Sequence, residues 1–459
     1  MNKYFGDWPF YKKALLIGLP VMLQQLIQTM ISLIDNFMVA GLGDVKMAGV
    51  NISGQILFAF MVFLNAICMA GGIFMTQYSG ANDREGMQQT LCFKIVVAGA
   101  AIALYMLVCM VFPRQVLSLM VVNNNQADAI LDQAVPYMFL MGFIGIPMVI
   151  STIIASSMRE IGQVKQPLVI SVIATGINTF FNWVLIYGNL GAPRLEVKGA
   201  AYATIIARTM EMLMYLVLMK VDRQPFMITL QNLRHIEWRL FGRILKKGSL
   251  VLFAEMLWVI SETVTTALYN GRGGSEVVSG MASSFSIANL FFIAFGGIVT
   301  ATSVTIGQTL GKGQLEEAKK QKNWMLSAAV VFGLFMTVVG ILTVLLVPLV
   351  FRNLSVDAQR ICKNMVFMMA LFMPMWVFVN TQFAVSKAGG DTVMGAVVDG
   401  AVTIVLIFPA IFFMAFRTSL GPIAMYGVIK LFDIIKITIA HIWLKKERWV
   451  KNLASVDGA

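Results

Sequence analysis

Twelve apolar segments, each long enough to cross a bilayer as a helix, dominate this 459-residue chain. They lie near 14–40, 51–77, 89–112, 128–157, 166–188, 198–219, 246–270, 280–308, 322–348, 358–386, 392–415 and 421–444. A spanning helix needs about 20 largely apolar residues to match a hydrocarbon core about 30 Å thick. Hydrocarbon offers no partner for a bare N–H or C=O, so such runs must form helices that satisfy their own backbone. Charged residues make up 13% of the chain, against about 25% in an ordinary soluble protein. The predicted fold class is therefore an all-α integral membrane protein with twelve transmembrane helices. The first apolar run is followed by no small-residue cleavage site and is expected to remain as a helix. Lys and Arg concentrate in the two tails and the even-numbered connections, which predicts that both termini are cytoplasmic. The net charge of +12 follows that topology and does not point to nucleic acid.

The chain repeats itself. Gly18, Gly41 and Gly43 return as Gly248, Gly271 and Gly273, and Gln77 of TQYSGANDREG returns as Gln308 of GQTLGKGQLEEA. Gly199, Arg208 and Glu211 return as Gly421, Lys430 and Asp433. Six helices per half give both halves the same orientation, related by an axis along the membrane normal. The expected organisation is two pseudo-symmetric six-helix bundles. An N-lobe covers 1–219, a cytoplasmic linker 220–245, and a C-lobe with a cytoplasmic tail 246–459. In the linker, Ile236, Leu240 and Ile244 recur every four residues among Arg234, Arg239 and Arg243. That pattern predicts a basic amphipathic helix lying on the membrane surface.

Polar residues inside the spans are the functional candidates. Gln28, Ser32 and Asp35 share one face of the first helix. Asp35 stands about 33 Å along that helix from Lys13. An acid at the centre of a span costs roughly 2.5–3.5 kcal/mol, so it marks a functional site by default. Asn178 and Asn182 in the fifth helix and Thr204 in the sixth reach a similar level. One carboxylate, two amides and a hydroxyl suit a proton or a small hard cation. The same residues also suit interhelical hydrogen bonding, and both readings stand. In the seventh helix Glu255 and Glu262 lie two turns apart with Trp258 between them. Arg208/Glu211 and Lys430/Asp433, each at i, i+3, read as structural ion pairs, with Asp399 a possible partner for Lys430. Cys68, Cys92, Cys109 and Cys362 read as small hydrophobes, and neither they nor His235 and His441 have metal-ligand spacing.

IDNFMVAGLG in helix one, GINTFFNWVLIYGNLG in helix five, VKGAAYATIIARTME in helix six and ERWVKNL at the tail resemble the multidrug and toxic compound extrusion (MATE) transporters. The resemblance covers nearly the whole chain. It implies a two-lobed exporter of small cationic or amphipathic organic compounds, driven by H+ or Na+ exchange. It implies no enzyme activity and no cofactor beyond the coupling ion, and a monomer in the bilayer of a bacterial inner membrane. Asp35 then matches the family's coupling acid, where Na+ would also bind. Asn178 matches the Asn of an N-x-x-x-D motif, and Thr204 the Thr of G-A-A-x-A-T. Asn182 stands where that motif has Asp, leaving one carboxylate and tilting the expectation towards H+. Glu255 stands where NorM-like members carry an embedded Glu; with Glu262, Gln28 and Trp258 it makes the expected substrate or second coupling site. The NorM-like acid of helix ten has no counterpart here, which points to the DinF-like branch.

Other classes fit less well. No HExxH or GxSxG motif supports an intramembrane enzyme, and no GxxxxGK[ST] supports ATP-driven pumping. A lipid-linked glycan flippase of the wider superfamily would need a strongly cationic cavity for pyrophosphate. The basic residues within the spans, Lys94, Arg208, Lys430 and Lys436, are few for that task.

Overall fold

The computed structural model describes residues 4–121, 126–229, 232, 234–352 and 354–455. Each apolar segment is a helix, and no strand occurs among the described residues. In chain order these are α1 (Trp8–Ala40), α2 (Asp44–Ala81), α3 (Arg84–Met106) and α4, which is Ala127–Gly142 followed by Gly145–Glu160. They continue with α5 (Lys165–Tyr187), α6 (Glu196–Val221), α7 (Trp238–Asn270), α8 (Ser275–Gly311), α9 (Leu315–Val350) and α10 (Val356–Ala388). The last two are α11, which is Val393–Val402 and Phe408–Arg417 joined through a π turn, and α12 (Pro422–Lys445). The two segments of α4 meet at a 52° bend. Among the described residues these twelve helices correspond one for one to the predicted spans, with a further short helix, Pro113–Ser118, between α3 and α4.

The chain divides into two compact units. One comprises Leu23–Met75 and Arg84–Ile244; the other comprises Met1–Met22, Thr76–Asp83 and Leu245–Ala459. Relative to the expected lobes, the start of α1 and the end of α2 belong with the second half, and the linker belongs with the first. The change within α1 comes two residues after Pro20, whose ring cannot donate to the carbonyl four residues earlier.

The linker carries a correction. No separate surface helix spans 238–245, because α7 begins at Trp238 and runs unbroken to Asn270. Leu240 and Ile244 are buried, and the Phe241 ring meets Phe93 of α3 edge-on at 5.0 Å. The apolar stripe thus closes on protein, which a periodic pattern alone cannot distinguish from closing on lipid. Leu230, Gln231 and Leu233 lie outside the described residues.

In the second unit the sequence repeat becomes a physical contact. A Cβ on Gly80 at the end of α2 would stand 2.1 Å from the Gln308 carbonyl oxygen in α8, and one on Gly311 would stand 1.9 Å from that of Gln77. Gly80 corresponds to Gly311 as Gln77 does to Gln308, so the two helix ends meet reciprocally at a distance open only to glycine. The C-terminal segment packs onto the same place. Gln77 Nε2 donates to the Ala388 carbonyl (2.7 Å), while its Oε1 accepts from the Leu453 amide (2.6 Å). Asn452 Nδ2 reaches the Gly311 carbonyl at 3.4 Å, and Trp449 is fully buried.

Two substitutions test this packing. Trp449→Ala empties a filled site and is expected to cost about 3–5 kcal/mol, read as a lower Tm in detergent. Gly311→Ala is expected to lower the Tm as well, because the two backbones must separate. An unchanged Tm in either variant would contradict the corresponding contact.

Candidate functional site

In the first unit, small residues bring α5 and α6 together. Gly199, Ala200 and Ala203 are buried on α6, and a Cβ on Gly199 would lie 2.5 Å from the Leu185 carbonyl oxygen. On α5 the buried stripe Ser171, Ala174, Asn178 and Asn182 follows the helical repeat, so the two amides face the protein interior. Close approach then sets Thr204 beside Asn178, and Asp35 of α1 completes the group.

The four predicted residues do meet. Asn182 Nδ2 donates to Asp35 Oδ1 at 2.5 Å and to Asn178 Oδ1 at 3.2 Å. Asn178 Nδ2 donates to Thr204 Oγ1 at 3.5 Å, and the Thr204 hydroxyl donates back to the Ala200 carbonyl at 2.9 Å. Asn182 is 1% exposed and spends both amide hydrogens inside the group, while its Oδ1 is buried without a partner. Arg208, one turn past Thr204, is near enough to attract the Asp35 charge, and Tyr137 of α4 also feels it. Arg208 Nη1 meets Glu211 Oε2 at 2.8 Å, as the i, i+3 spacing predicts.

Gln28 does not join this group. Its side chain is exposed, and Ser32 Oγ donates to its backbone carbonyl at 3.2 Å. Of the face predicted to act together, Asp35 alone enters the pocket.

The second unit separates residues that spacing had paired. Lys387 Nζ, in the last turn of α10, lies 3.5 Å from Glu255 Oε1. Glu262 sits near Tyr269, Tyr426 and Lys430, whereas Trp258 is exposed. The expected Lys430/Asp433 pair does not form. Lys436 takes the acids instead, reaching Asp399 Oδ1 at 2.6 Å and Asp433 Oδ1 at 3.9 Å. Asp399 therefore partners Lys436 and not Lys430. Lys436 stands three residues past Asp433 on α12 and also reaches Asp399 on α11, while Lys430 lies over the Trp376 ring of α10.

Two clusters escaped sequence reasoning. Lys94 is fully buried and bonds Glu160 (2.5 Å), Ser157 (3.2 Å) and Ser156 (3.3 Å). Gln24 is buried, donates to Ser171 Oγ at 2.8 Å and accepts from Arg159 Nη1 at 3.3 Å. The signal was present as polar residues in apolar runs, but their partners lie on other helices.

The family profile MatE matches residues 20–184 and 251–438, most of the chain and both halves. The chain belongs to the MATE family. Among its curated relatives, the probable multidrug resistance protein NorM of Thermotoga maritima is 23% identical over 96% of this chain and 93% of that protein. The multidrug resistance protein NorM of Vibrio vulnificus is 26% identical over 66% of this chain and 65% of its own length. The fold matches a crystal structure of MATE in the bent conformation, with a TM-score of 0.85 at 17% identity over 96% of each chain. An outward-facing MATE family transporter of the MOP superfamily gives 0.84, again at 17% identity over 96% of each chain.

In this MATE protein the Arg208–Glu211 pair is expected to be structural. Glu211 is 4% exposed, so Arg208→Met leaves a buried charge without its partner, at a cost of about 3–5 kcal/mol. Replacing both residues with Met should recover most of the lost Tm. A double variant no more stable than the single one would contradict this.

Proposed function

We propose that this protein is a secondary active multidrug exporter, exchanging cationic or amphipathic organic compounds for H+ by alternating access. Its curated relatives are named as multidrug resistance proteins, which supports the substrate class. The proposal places it as a monomer in a bacterial inner membrane with both termini cytoplasmic, consistent with the Lys and Arg distribution.

The observation that carries the coupling assignment is the bond between Asn182 and Asp35. Among the described residues Asp35 is the one carboxylate bonded into this group, and its partner is an N–H donor, which favours the ionised acid. Protonation replaces that acceptor with a neutral carboxyl and weakens the link between α1 and α5. Proton occupancy and helix contact are thereby tied together. Na+ would need several converging oxygens. Here Asp35 Oδ1, Asn178 Oδ1 and the Thr204 oxygen each already accept an amide hydrogen, so Na+ would have to share them with the Asn178 and Asn182 amides, while Asn182 Oδ1 is buried without a partner. That supply supports H+ over Na+. The ion-paired state of Lys94, Arg208 and Lys436 argues against a pyrophosphate-binding flippase.

Transport in inverted vesicles tests the reading, with pH and Na+ gradients imposed separately. Wild-type efflux should follow the pH gradient at equal Na+. Asp35→Asn should abolish gradient-driven transport at matched expression, and Asn182→Asp should add Na+ dependence by supplying a second carboxylate. Full transport by Asp35→Asn would remove Asp35 from the coupling role. Wild-type efflux that follows Na+ and ignores pH would overturn the proton assignment.

A further inference from the structure

The second unit holds an ammonium in an unusual setting. Lys430 Nζ of α12 lies 4.6 Å from the ring centre of Trp376 on α10 and 5.3 Å from that of Tyr426, one turn earlier on α12. Further rings fix these two. Phe292 and Phe295 of α8 meet Trp376 edge-on at 4.5 and 5.0 Å, and Tyr269 of α7 meets Tyr426 edge-on at 6.2 Å. Four helices thus build one aromatic box.

Among the described residues no carboxylate lies within ion-pair distance of Lys430. Asp433, one turn away, stands 3.9 Å from Lys436, and both it and Glu262 of α7 act on Lys430 only from longer range. Lys430 and Trp376 are half-buried, whereas Tyr426 and Tyr269 are buried. Ring faces are the chemistry that recognises alkylammonium ions.

We propose that this box is a binding site for organic ammonium compounds, and that Lys430 fills it as a tethered competitor which the bound compound displaces. The inference rests on the cationic-substrate reading above. Charge balance supports it. Asp433 meets Lys436 only at 3.9 Å, while Lys436 has its close bond to Asp399, so Asp433 can receive the displaced Lys430. The box then keeps one cation before and after exchange, and no bare charge is created in the membrane.

Equilibrium dialysis of benzyltrimethylammonium against the purified full-length protein in detergent tests this, with its neutral carbon isostere neopentylbenzene as control. Lys430→Gln and Lys430→Met vacate the box, and each should tighten ammonium binding about tenfold, the scale of one desolvated cation–ring contact. Binding of the neutral isostere should not change. Lys430→Arg refills the box and should behave as wild type. Trp376→Leu on the Lys430→Gln background should erase the gain. Unchanged or weaker ammonium binding in the folded Gln and Met variants overturns the proposal, as does a gain that survives Trp376→Leu. Loss of folding in both variants also overturns it, because the ammonium is then structural. The assay reads binding alone, so a protein that gains ammonium affinity yet ignores a pH gradient fails the proton-exchange reading and leaves this one standing.

Discussion

Hydrocarbon gives a charged or polar side chain no water to fall back on, and that constraint arranges every embedded polar residue described here. Lys94 is fully buried and survives because Glu160 and two serines surround it. Arg208 and Glu211 neutralise each other within one turn, and Lys436 gathers Asp399 and Asp433. Asp35 is the exception in the first unit, since it is held by an amide donor and not by a bonded cation. A carboxylate in that state can take up a proton without stranding a partner charge. Glu160, Glu211, Asp399 and Asp433 would each abandon a cation if they did so.

The same constraint explains the small residues. Transmembrane helices gain little from burying apolar surface against one another, since lipid tails are equally apolar, so close backbone packing and hydrogen bonds hold them together. Gly199 lets α5 and α6 approach until Thr204 reaches Asn178. Gly80 and Gly311 do the same for the ends of α2 and α8, and Gln77 then ties that junction to the C-terminal segment through two bonds of opposite sense. The site thus depends on Gly199, and the α2–α8 junction on Gly80 and Gly311.

Much of the candidate site was legible because helix periodicity and depth are properties of one helix at a time. Asp35 in an apolar run, two Asn one turn apart and a Thr after a small-residue stripe could be ranked by level, and the structure does bring them together. Gln28 shared a face with Asp35 in the pattern yet is exposed, because a face about two turns long is longer than one pocket. The amphipathic stripe of the linker was equally visible, but its periodicity did not say whether lipid or Phe93 would cover it.

The sequence by itself determined the membrane environment, the twelve helices and the internal repeat. Each follows from the thickness and polarity of the bilayer acting on local runs of residues. Spacing foretold the Arg208–Glu211 pair, but in the second unit tertiary structure decided which charges pair. Lys430 and Asp433 stand one turn apart on α12, yet Lys430 rests on Trp376 and Asp433 faces Lys436. It also decided that the segment after α12 is built in, with Trp449 fully buried and Leu453 bonded to Gln77. The physical reason is the same in both cases. Partner choice depends on distances between helices far apart in the chain, and short-range spacing carries no record of them.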